Sequence, residues 1–175
     1  RRIGVSAPGS STQVMASVLL ARAGVDAREV SFVGVGTGAT AVAALRTGRV
    51  HALCHADPIM SLLEHRGEVR LVSDLRTLTV AQELFGGSMP ASCLYAPQAF
   101  LHKEPLVAQA LTNAIVHALK WLQTASPADL IKAVPASYVL GDRAVYLAAF
   151  NRVRETFSPN GLMPEDGPAT TLRAL

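Results

Sequence analysis

The chain has 175 residues, half of them hydrophobic, which is enough to bury a sizeable core and excludes the composition of a disordered segment. Thirteen arginines and three lysines stand against 13 acidic residues, for a net charge of +3. The basic residues are scattered singly and aromatics are only 5%, so the clustered, aromatic-interleaved pattern of a nucleic-acid interface is missing. No apolar run is long enough to span a bilayer.

Residues 3–12, IGVSAPGSST, open the chain with a β-prone run, a Pro-Gly turn and three hydroxyls. That order predicts a strand, a tight turn and the N-terminus of a helix, which Gly24 ends. Residues 30–35, VSFVGV, form a second strand candidate. The turn Gly36-Thr37-Gly38-Ala39-Thr40 follows it, then a helix stopped by Gly48. Residues 51–56 form a third apolar run, ending at Asp57-Pro58. A short helix closes at Gly67, and residues 69–72 form a fourth strand candidate. Strands alternating with short helices predict an α/β fold with a largely parallel sheet.

Residues 77–90 give no clear pattern beyond a loop at Gly86-Gly87, and residues 91–96 return to an extended apolar run. From Pro97 the character turns helical. Glu104-Pro105 opens a helix whose positions Leu106, Val107, Ala110, Leu111, Ala114, Ile115, Ala118, Leu119 and Leu122 form one wide apolar face. Ser126-Pro127-Ala128-Asp129 is an N-cap with Pro at the first helical position. A third helix is expected from Gly141-Asp142 to near Phe157, before the turn Ser158-Pro159-Asn160-Gly161. These helical faces have few partners of their own in the sequence.

The turns at residues 9–12 and 36–40 echo each other: each joins a strand to a helix with glycine and hydroxyl residues. In an open parallel sheet both lie at the carboxyl edge, where ligands bind, and Asp57 falls there too. Ser10, Ser11 and Thr12 are therefore candidate donors to an anionic or polar group, and Thr37 and Thr40 candidate wall residues. Asp57 is a candidate acceptor for a ligand amine or hydroxyl. Plain helix capping explains Ser10, Ser11, Thr12 and Asp57 as well. Gly34-x-Gly36-x-x-Ala39, with Asp57 after it, also fits a relaxed dinucleotide fingerprint. His51, His55 and Asp57 do not complete a metal set, and no nucleophile elbow, metalloprotease motif or P-loop lysine occurs. Cys54 and Cys93 lie in strand-like runs without metal spacing. Buried free thiols are expected, with pairing left open.

IGVSAPGSST with its helix, VSFVGVGTGATAVAALRTGRVHAL, the ADP turn, SCLYAPQAFLHKEPLVAQALTNAIVHALKWL and SPNGLMPEDG occur in this order along nearly the whole chain. Together they resemble the substrate-binding proteins of sulfonate-, nitrate- and taurine-type ABC transporters, which are similar to the thiamine-pyrimidine synthase family. The resemblance implies a type II periplasmic-binding-protein fold, with residues 1–94 as the second α/β lobe and residues 95–175 returning to complete the first. The N-terminal part of that first lobe would lie outside this sequence. The implied function is reversible capture of a small polar or anionic molecule, delivered to a membrane permease in a periplasmic or extracytoplasmic space, without cofactor or catalysis. Relatives often carry an aromatic just before the Asp. Here that position is Ala56, preceded by His55, which points away from a simple sulfonate or taurine. Other readings are a pyrimidine-synthase-like enzyme, a dinucleotide-binding domain, and the sensing domain of a regulator. The first of these requires a pyridoxal-phosphate lysine, and only Lys103, Lys120 and Lys132 are present.

Overall fold

The computed structural model describes residues 1–175. Strand β1 (Arg2–Val5) leads through the Pro8-Gly9 turn into helix α1 (Ser11–Arg22). Strand β2 (Ser31–Gly34), helix α2 (Ala39–Arg46), strand β3 (Ala52–Leu53) and helix α3 (Ile59–His65) follow. The three strands make a parallel sheet in the order β2-β1-β3. Arg2 pairs with Ser31 and Val5 with Gly34 on one side of β1, and Ile3 pairs with Ala52 on the other. The sheet is small and helices dominate, so the α/β class holds in the form of a mostly helical chain with a short parallel sheet.

Three strand expectations fail in whole or in part. Residues 69–72 pair with nothing and are not a strand, and β3 keeps only two of the six positions expected of it. Both runs have the right composition, but a strand exists only where a neighbour completes its ladder. Residues 91–96 are likewise unpaired. The unread stretch 77–90 holds a helix, α4 (Leu78–Phe85). Thr77 caps it by accepting from Val80 N, and Gly86 ends it at φ +70°, a left-handed backbone that a side chain would strain.

The remainder is helical: α5 (Gln98–Lys103), α6 (Pro105–Thr124), α7 (Pro127–Ala133), α8 (Ala136–Val139), α9 (Arg143–Val153) and α10 (Gly167–Ala174). The start signals fall where expected. Pro105 and Pro127 each occupy the first helical position, and Ser126 Oγ accepts from Asp129 N at 3.2 Å. The chain divides into two compact units, one of residues 1–73, 130–151 and 174–175, the other of residues 74–129 and 152–173. The first unit contains the sheet and its core. There Val35, Ala41, Val42, Val50, Ile59, Leu62, Leu63 and Val145 are buried together, and Val5 of the central strand is fully buried. The second unit buries Phe85, Ala125 and Thr170.

Candidate functional site

Because β1 is central and all three strands are parallel, the segments leaving their carboxyl ends emerge side by side at one edge of the first unit. The ladder runs slightly past the strands. Val35 N donates to Val5 O, Gly36 N to Ser6 O and Cys54 N to Gly4 O. The turns after β1 and β2 and the segment after β3 are therefore fixed against one another by main-chain bonds.

In the first turn the hydroxyls form a wired group. Thr12 Oγ1 accepts from Ser6 N at 2.9 Å and shares hydrogen bonds with Ser6 Oγ at 3.0 Å and Ser10 Oγ at 2.8 Å. A hydroxyl has one hydrogen and two acceptor sites. With one site taken by Ser6 N, Thr12 must accept from one serine and donate to the other. Whichever serine receives the Thr12 hydrogen keeps its own O–H to point elsewhere. The group thus always holds one spare donor, on Ser6 or Ser10, and Thr12 is its internal hub. Ser6 was not among the residues singled out from the sequence, because its link to Thr12 depends on the turn folding back over six residues.

The N-terminus of α1 is open in a second sense. Ser10 is its N-cap residue, yet its side chain caps no helix N–H; it accepts weakly from Ala7 N instead. The first helical bonds run from Gln13 and Val14 to Ser10 O, leaving the N–H groups of Ser11 and Thr12 ahead of them. Ser11 itself is exposed. Helix α2 repeats this: Gly38 is its N-cap, no side chain caps it, and its first bond runs from Ala41 N to Gly38 O. Two helix N-termini with uncapped donors therefore stand on adjacent strands, an arrangement that favours negative charge.

The other candidates are held differently. Thr40 Oγ1 donates to Val35 O at 2.6 Å, so its hydrogen is committed to the main chain and only acceptor capacity is left. Thr37 lies exposed in the turn between them. Asp57 Oδ1 accepts from Ser61 N at 2.8 Å and so caps α3, while Oδ2 is shut off from solvent. The capping role of Asp57 is thus realised. Gly34 permits a close approach of the chain itself: a β-carbon there would stand 3.1 Å from Pro8 Cδ. In the dinucleotide pattern this first glycine serves the tight turn, and here it is the turn after β1 that packs against it.

Cys54 and Cys93 are free thiols. Burial pushes the Cys54 thiol up, in keeping with a packing role. Cys93 is exposed, contrary to expectation, because the run 91–96 joins no sheet. No cluster of three or more His, Cys, Asp or Glu side chains is placed to hold a metal ion. No helix is long and apolar enough to cross a membrane.

The sequence profile of the NMT1-like family matches residues 1–134. No curated protein matches the chain. A solved structure of a protein from Bordetella bronchiseptica RB50 is similar to it, with 54% identity and a TM-score of 0.95. The match covers 99% of this chain and 55% of that one, so the chain spans about half the length of its solved relative.

Proposed function

The chain belongs to the NMT1-like family, and on that premise we propose that it is part of the solute-binding component of an ABC importer. That family falls in the sulfonate-, nitrate- and taurine-type binding-protein group. In this reading residues 1–94 make the second lobe of a type II periplasmic-binding-protein fold, and residues 95–175 return to the first. The protein takes up a small polar or anionic organic molecule reversibly in a periplasmic or extracytoplasmic space and presents it to a membrane permease.

One observation carries the binding role: the uncapped N-terminus of α1 beside a hydroxyl group that always keeps one spare donor. Capped helix ends and satisfied hydroxyls are the rule inside proteins, so unspent donors at a sheet's carboxyl edge favour an anionic ligand group. Ser10, Ser11 and Ser6 supply donors, Thr37 and Thr40 line the α2 side, and Asp57 stands beyond β3. Binding without turnover suits this edge, which has donors but no nucleophile paired with a base. An enzyme of the pyrimidine-synthase kind would need a lysine near the ligand. The three lysines of the chain, Lys103, Lys120 and Lys132, sit on helices α5, α6 and α7 and not in the loops that follow the strands.

The test is a thermal-shift screen of the full-length protein against small sulfonates, carboxylates, amines and pyrimidines. A ligand present at a hundred times its Kd adds about 2.7 kcal/mol of stability, a shift of several degrees. The expected result is such a shift with one anionic class. No shift with any compound at millimolar concentration overturns the reading. A shift with a nicotinamide dinucleotide alone favours the dinucleotide fold, and a pyridoxal absorbance band in the purified protein favours the enzyme.

A further inference from the structure

One side chain joins two segments that the sheet keeps apart. Strands β2 and β3 are both neighbours of β1 and not of each other, so they lie roughly 10 Å apart, two strand spacings. Yet His55, two residues beyond β3, places Nε2 at 2.8 Å from Gly36 O, two residues beyond β2. To do so the imidazole must span the carboxyl end of β1, between the two helix N-termini and the Asp57 turn. Its protonation pattern follows from its partners. Nδ1 accepts from Ala56 N at 3.0 Å. Gly36 O can only accept, so Nε2 carries the hydrogen. The shorter contact at Nδ1, from Ala56 N, assigns the Nε2–H tautomer to the ring. Both bonds go to main chain, at the edge proposed above for the ligand.

We propose that His55 is a positioning residue for the ligand site, a strap that holds the turn at residues 36–38 over the end of β1 and fixes the direction of the α2 N-terminus. The inference rests on the binding reading above, because it matters for function only if the ligand docks at this edge. With the strap intact, the open N–H groups of α2 stand beside those of α1. Without it, the turn keeps the bond from Gly36 N to Ser6 O and the Thr40 bond to Val35 O, but loses its tie to the third segment. Two helix ends set at a fixed separation recognise a ligand of one length, so the strap also selects for size.

Two substitutions separate this role from simple packing. His55→Phe keeps the ring volume and removes both bonds, whereas His55→Gln can donate an amide N–H to Gly36 O. The full-length protein is followed by NMR, with methanesulfonate and acetate as anion probes. The expected results are an Nε2–H tautomer in the wild-type imidazole spectrum and faster amide exchange at residues 36–38 in His55→Phe. The Phe variant should also bind the probe that titrates the Ser11 and Thr12 amides roughly fivefold to tenfold more weakly, the size expected for one lost hydrogen bond. His55→Gln should recover most of the exchange protection and of the affinity. An Nδ1–H tautomer, unchanged exchange in the Phe variant, or equal losses in both variants each overturns the proposal. If neither probe binds the wild type, the anion reading of this edge fails. The strap is then judged on tautomer and exchange alone; if the Phe variant does not fold, the wild-type tautomer and the exchange protection kept by His55→Gln decide it.

Discussion

Thr12 shows how much one hydroxyl decides at this edge. Replacing it with valine keeps its shape and deletes the oxygen where Ser6 N, Ser6 Oγ and Ser10 Oγ meet. Ser6 N then becomes a half-buried donor with no acceptor, which costs about 1–3 kcal/mol. Thr12→Ser restores the oxygen and gives up one methyl group, about 0.8 kcal/mol if fully buried. Urea denaturation of the two variants should rank them in that order. Equal losses would show that the methyl, not the wiring, matters. The sequence made the hydroxyl cluster visible, since three in a row after a glycine are hard to miss. It did not show which hydroxyl is the hub, nor that Ser6 joins the group. The same limit applied to His55, whose partner is 19 residues away across a strand. Residue identity is local, but hydrogen-bond wiring is set by the turn geometry that brings distant residues together.

At the scale of elements, punctuation was legible and pairing was not. Gly24, Gly48 and Gly67 end α1, α2 and α3, each with a positive φ, as helix stops do. Pro105 and Ser126-Pro127 open α6 and α7. Residues 69–72 read as a strand on hydropathy alone, yet only Val69 packs against the core and Val72 is 92% exposed, because no neighbouring strand completes a ladder there. Helix α4 escaped because the two glycines after it read as a loop and obscured the cap at Thr77. Three carboxylates with lowered pKa values have a pH consequence. The Arg46 guanidinium, 2.7 Å from Glu68, holds that carboxyl low, and Arg76 does the same to Asp74. The Ser88 backbone N–H lowers Asp166, whose Oδ2 it meets at 2.8 Å. In the unfolded chain these groups titrate at about 3.9–4.3, and in the folded state lower. Their stabilisation is therefore complete above that range and is lost as pH falls through the folded values. Urea midpoints should stay level from neutral pH down to roughly pH 5 and drop below about pH 4. Asp166→Asn should shallow that drop, and an unchanged acid limb in this variant would remove Asp166 from the account.

For the whole molecule, the informative feature is a face with nothing on it. Helix α6 runs for 20 residues and buries none of them. Val107, Leu111 and Ile115, four residues apart, are all exposed, and Leu106 is 83% exposed. The helix is not wholly without neighbours: Val116 and Leu119 are half-buried, and their side chains approach the turn at Gly161. The bare surface is the other face, and contiguous apolar surface of this kind marks an interaction site. The solved relative carries nearly twice this length of chain, and in the two-lobe reading its additional segment supplies the cover. That proposal can be tested within the full-length protein. Leu106→Asp and Leu111→Asp would place a charge under the covering segment and should each cost more than about 3 kcal/mol, since a buried unpaired carboxylate is among the most destabilising of single changes. Were the face open to water, the same substitutions would stay within about 0.5 kcal/mol of neutral. Gln109→Glu, on the same helix beside Asn113, is the control and should be near neutral in either case. Denaturant midpoints that leave both Leu variants level with this control would show that α6 faces solvent in the complete protein, and the assignment of residues 95–175 to a shared first lobe would fall with it.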